Sequence, residues 1–144
     1  MKKLLFMTIF MTLFTITNAQ NERFKALFLY NFTKYIEWPK EFRKGDFVIG
    51  ILGKSKVTER LETIAKRKMA GSQKIIVTEY SSLEEIKNCH ILYLAPSKSR
   101  EFYKVLKKFE SNTLIVTDKV GLGKKGAGIN YILDDGNLVF EINF

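Results

Sequence analysis

The chain has 144 residues, with 24 Lys+Arg, 15 Asp+Glu and one His, for a formal net charge of +9. A hydrophobic share of 46% against 27% charged excludes a disordered chain, and the length suits one domain. A single Cys excludes an intramolecular disulfide framework, and one Cys with one His leaves no ligand set for a protein-only zinc site.

Residues 1–19 have the plan of a secretory signal peptide. Lys2 and Lys3 form a positive start, residues 4–16 are apolar or Thr without charge, and Thr17-Asn18-Ala19 offers small residues for cleavage after Ala19. The apolar run is shorter than the ~17–25 residues a membrane span uses, so removal is expected rather than anchoring. No Cys lies near the cleavage point to carry a lipid. Export would take Lys2 and Lys3 away and leave residues 20–144 as one domain in the periplasm, a compartment without a genome. The remaining lysines are scattered, among them Lys54, Lys66, Lys87 and Lys104. The basic balance therefore reads as solubility, and neither nucleic acid nor membrane insertion is expected.

Residues 22–38 read as a helix that Pro39 ends, since the position before proline disfavours the α region. At 100° per residue, Glu22, Arg23, Ala26, Tyr30, Thr33, Lys34 and Glu37 share an arc of roughly 120°. Phe24, Leu27, Phe28, Leu29, Phe32, Tyr35, Ile36 and Trp38 fill about 200°. A helix on one core needs an apolar stripe of only ~100°, so this one is expected to bury against more than one element or against another chain. Asn31 falls inside the apolar arc and should hydrogen-bond a neighbouring backbone.

Residues 47–53 are nearly all apolar, as in a strand buried on both faces. Residues 55–68 read as an amphipathic helix through Val57, Leu61, Ile64 and Ala65, and residues 74–79 as a strand. Ser81 or Ser82 can cap a short helical segment. Residues 90–94 form a third strand closed by Pro96, residues 97–110 a helix, and residues 113–117 a fourth strand. Residues 129–133 and 138–142 are strands joined through Asp134-Asp135-Gly136-Asn137, a strong hairpin signal. The expected fold is α/β: a three-layer sandwich with a mostly parallel sheet and a C-terminal antiparallel hairpin.

Residues 121–126 satisfy G-x-G-x-x-G, but a strand follows where a dinucleotide site needs a helix. The loop, with Gly121, Gly123, Lys124, Gly126 and Gly128, could still hold a small anion on its amides. Gly53-Lys54-Ser55 resembles a P-loop ending, yet Val48 stands where the first P-loop glycine belongs. Cys89 and His90 are adjacent in a strand and so face opposite ways. No nucleophile–base pair, metal set or cofactor motif is apparent.

The segment from Lys25 to Pro39, KALFLYNFTKYIEWP, resembles the opening helix of the YfiR family, "KAAFLYNFxKFxEWP". Residues 47–53 are similar to the family's first strand, residues 126–132 to its "GGMINF" element, and residues 140–143 to its "FEIN". Tyr30, Asn31, Pro39, Asn130, Phe140, Glu141 and Asn143 are the motif positions carried over. The resemblance implies a periplasmic α/β regulator without catalytic activity. It would bind, and hold inactive, the periplasmic domain of an inner-membrane diguanylate cyclase or sensor kinase; release would raise cyclic-di-GMP and favour biofilm. Family members commonly continue past "FEIN" into a further helix, so an uncovered apolar sheet surface is expected here. Some members carry several cysteines, so redox control does not transfer to a chain with only Cys89.

Leu29, Phe32, Ile36 and Trp38 are the expected partner contacts, with packing inside the chain as the competing reading; a homodimer is left open. Two other functions stand beside the regulator: a sensor for a small ligand or anion at the glycine loop, and an exported hydrolase, against which the missing catalytic pair counts.

Overall fold

The computed structural model describes residues 2–109 and 112–143, with side chains from residue 19 onward. The expected signal peptide therefore lies almost wholly outside the described side chains. Among the described residues, no helix is long and apolar enough to cross a membrane.

Three helices, α1 (Lys2–Tyr35), α2 (Val57–Ala65) and α3 (Phe102–Lys108), pack on a seven-stranded sheet. The strands are β1 (Phe47–Leu52), β2 (Met69–Ala70), β3 (Gln73–Tyr80), β4 (Ile91–Leu94), β5 (Leu114–Thr117), β6 (Ile129–Asp134) and β7 (Asn137–Ile142). They lie in the order β2-β3-β1-β4-β5-β6-β7. The five inner strands are parallel, and β2 and β7 are antiparallel edges. The mixed α/β architecture with a C-terminal hairpin is thus observed. The short β2 edge was not foreseen, because two residues carry no periodic signal.

Strand alternation splits the core. Phe47, Ile49, Ile51, Ile91, Tyr93, Ile129 and Tyr131 face α1 and α2. Leu52, Leu92, Leu94 and Ile115 face the opposite way, toward Phe102, Val105 and Cys89. Each such large side chain stabilises by about 1.5–3 kcal/mol relative to exposure. The β6–β7 turn is tighter than the four-residue connection expected: only Asp135 and Gly136 intervene, at φ 46° and 79°. Positive φ at both positions is what a two-residue hairpin matching strand twist requires.

Helix α1 departs from the expected picture in two ways. It ends at Tyr35, with the last bond from Ile36 N to Phe32 O at 3.2 Å, so residues 36–38 run on outside the helix. Its buried side also includes Ala26, Tyr30 and Thr33, which share the polar arc of the helical wheel, and Lys25. Each has a local reason. Ala26 is small enough for close approach, Thr33 Oγ1 donates to Tyr30 O at 2.7 Å, and Lys25 is ion-paired. The outward side carries Phe24, 39% exposed, Leu27, 42%, and Tyr35, 81%.

Candidate functional site

Two polar networks tie the ends of the chain to the sheet, and they account for several motif positions. Lys25, on α1, donates to Asp118 Oδ2 at 2.6 Å and Glu22 Oε1 at 2.9 Å. Tyr93 donates to the same Asp118 oxygen at 2.8 Å, and Tyr131 donates to Lys25 O at 3.0 Å. Burial acts to lower the Lys25 pKa, but the bonds and charges of Asp118 and Glu22 outweigh it and raise it above the ordinary value. Burial, followed by the charge of Asp118, raises both Tyr93 and Tyr131, so these phenols stay neutral donors.

The second network centres on Asn130, fully buried at the start of β6. Its Oδ1 accepts from Thr117 Oγ1 at 2.6 Å and Lys119 N at 3.3 Å, and its Nδ2 donates to Glu141 Oε2 at 3.0 Å. Glu141 reaches Asn130 through the space above Gly123: a Cβ there would stand 2.5 Å from the Glu141 carboxylate. Asn143 N closes the edge on Gly128 O at 3.0 Å.

This geometry bears on the loop expected to hold an anion. Gly121 and Gly126 sit at φ 88° and 111°, around a short 3-10 turn over Gly123–Lys125. Lys124 is exposed. The loop already packs on a carboxylate of the chain itself, Glu141. The P-loop-like Gly53-Lys54-Ser55 is filled in the same way. Glu79 Oε2 accepts from Ser55 N at 3.4 Å and from Thr58 Oγ1, at the start of α2.

Cys89 and His90 do face opposite ways. Cys89 is buried among apolar residues, and burial pushes its thiol pKa up to about 12. His90 is buried against Phe47, Trp38 and Phe42, with both ring nitrogens bonded to backbone. Neither is free to act as nucleophile or base.

Of the four residues expected at a partner contact, Leu29, Phe32 and Trp38 are buried, and Ile36 packs against the same core. Trp38 lies edge-on to Phe47 at 5.2 Å. Asn31 is half-buried, and among the described residues its amide makes no hydrogen bond to a neighbouring backbone. The uncovered apolar surface lies next to these positions. Phe24, Leu27 and Tyr35 are exposed on the outward side of α1, with Phe28 half-buried beside them. Phe28 meets Phe140 of β7 at 5.3 Å, and Phe32 meets the same ring at 5.6 Å. Leu133 and Ile142, also exposed, extend the strip along the hairpin. The signal for it was present in the over-wide apolar arc; what the wheel did not give was which half faces out.

Residues 22–144 match the family model described as YfiR/HmsC-like. No relative among curated proteins matches the chain.

Proposed function

The chain belongs to the YfiR/HmsC-like family, and from that premise we propose a periplasmic, non-enzymatic regulator. It binds the periplasmic domain of an inner-membrane diguanylate cyclase or sensor kinase and holds the output down. The observation that carries this reading is the exposed apolar strip of Phe24, Leu27, Phe140 and Ile142, joined through half-buried Phe28. Contiguous apolar patches on a soluble domain mark association surfaces. The proposed contact thus lies on the outward side of α1 and on β7, away from Leu29 and Phe32 on the buried side of the helix and from Ile36 and Trp38 beyond its end.

Co-purification with the periplasmic domain of a membrane diguanylate cyclase tests it. The double substitution Phe24→Glu/Leu27→Glu should lower recovery of the partner at least about tenfold, a loss of roughly 1.4 kcal/mol, with melting unchanged. Phe32→Glu should instead unfold the domain. Recovery of the partner undiminished by the double substitution would remove the strip from the interface. Failure to capture any cyclase or kinase would count against the regulator itself.

A further inference from the structure

The chain has one His and one Trp, and the structure puts them side by side. His90 precedes β4 and lies beneath the 38–45 turn that links α1 to β1. Its ring stacks on Phe47 at 4.2 Å and meets Trp38 at 5.7 Å and Phe42 at 5.6 Å, both edge-on. Two backbone groups fix its protonation. Val48 N is 3.0 Å from Nδ1, and an amide N–H can only donate. Phe42 O is 2.8 Å from Nε2, and a carbonyl can only accept. The ring is therefore neutral with its proton on Nε2, and it bridges the turn to β1. The backbone of His90 adds a third tie, donating to Val48 O at 2.9 Å.

We propose that His90 is a proton-operated latch: with Nδ1 free it fastens the 38–45 turn to β1, and with Nδ1 protonated it lets the turn lift and opens the groove beside Trp38. A proton on Nδ1 would set one N–H against the Val48 N–H, with no acceptor between them. The ring must then turn away from Val48, and the Phe42 carbonyl on Nε2 moves with it. That turn is one wall of a groove of about 380 Å³ lined by Ile36, Trp38, Arg43, Phe47 and Gln73. Gln73 Nε2 also holds the turn, at Phe42 O (3.0 Å), Gly45 O (3.2 Å) and Lys44 O (3.5 Å), so the base of the turn stays anchored at 44–45 while the Phe42 carbonyl is shared between Gln73 and His90.

None of the ionisable groups around the ring offers a protonated His90 an acceptor under the closed turn. The turn and its approach carry Glu37, Lys40, Glu41, Arg43 and Lys44; Asp46 leads into β1, Lys74 lies on β3, and Lys87 comes before β4. Among the described residues none bonds the ring, and Glu37 is engaged with Arg43 at 2.8 Å. Cations outnumber carboxylates in this set, so a proton on the ring is disfavoured while the turn is closed and is accommodated when the turn lifts.

The sole tryptophan makes the latch readable in the full chain. On acidification from about pH 8, over the range in which far-UV circular dichroism stays constant, Trp38 emission should show a reversible one-proton transition. Amides of residues 38–45, corrected for intrinsic rates, should exchange at least about tenfold faster at the acid end. His90→Asn keeps an acceptor for Val48 that cannot titrate, and the transition should vanish. A transition that survives in that variant overturns the latch, as does flat emission, or emission that changes only when circular dichroism is lost. If the variant does not fold, the imidazole C2–H resonance of the wild-type chain decides. A midpoint shared with Trp38 emission supports the latch, and separate midpoints overturn it.

Discussion

At one end of the sheet, β2 offers two residues, Met69 and Ala70, with Arg67, Lys68 and Lys74 beside them in sequence. At the other end, β7 offers six, Asn137–Ile142, without a lysine, arginine or proline, and with Val139, Phe140 and Ile142 exposed. Short length and flanking cations are the ordinary means by which a sheet edge avoids pairing with another chain. The chain uses both at β2 and neither at β7. Charge alone therefore does not describe this surface: the cations guard one edge and leave the other apolar. The contrast also tells where rigidity is placed. The open edge is the one braced from beneath by buried Asn130 and by the Lys25–Asp118 pair.

The largest way to break the contrast is to remove that bracing. Asn130→Ala would leave Thr117 Oγ1, Lys119 N and Glu141 without their partner, and should lower stability by about 3 kcal/mol, seen in urea melts. Lys25→Met should lower it by about 2 kcal/mol by leaving Asp118 buried and uncompensated. The same site gives a pH signature. Because the folded-state pKa of Lys25 is raised, its contribution is complete below the ordinary lysine value and is lost as pH rises through the folded value. The wild-type chain should therefore lose more stability above about pH 10.5 than Lys25→Met does. Gly123→Ala should cost about 1–2 kcal/mol, because its Cβ displaces the Glu141 carboxylate from Asn130. Val139→Lys supplies the missing edge charge. It should change melting by no more than about 0.5 kcal/mol and reduce self-association seen in sedimentation. Lys68→Ala at the short edge should change neither, within about 0.5 kcal/mol.

The strands and the hairpin were legible because apolar runs and Asp-Gly are local signals. Asp135-Gly136 encodes its own turn, whatever the rest of the chain does. The direction in which α1 faces was not legible. Ala26, Tyr30 and Thr33 count as weakly polar on a wheel, and only the sheet beneath them decides that they are core. The burial of Lys25 was not legible either, because its partner Asp118 is 93 positions away. Leu29, Phe32, Ile36 and Trp38 lie on a segment with more apolar surface than one core stripe needs, but periodicity cannot say which half a neighbour covers. Trp38 was read as helical because proline sets a limit on a helix and not its end. The chain leaves the helix three residues early, which brings the indole to His90.

The bond from Tyr131 to Lys25 spans 106 residues, whereas β7 finds β6 across a two-residue turn. Loop closure over so long a span must be met before its contacts give anything back. Tyr131 and Phe140 complete one side of the seat of α1, whose other side is formed by α2 and β1, so the seat closes fully only with the C-terminal hairpin. The side of α1 that carries Phe28 and Phe32 thus gains its partner Phe140 only when the far end of the chain has closed on it.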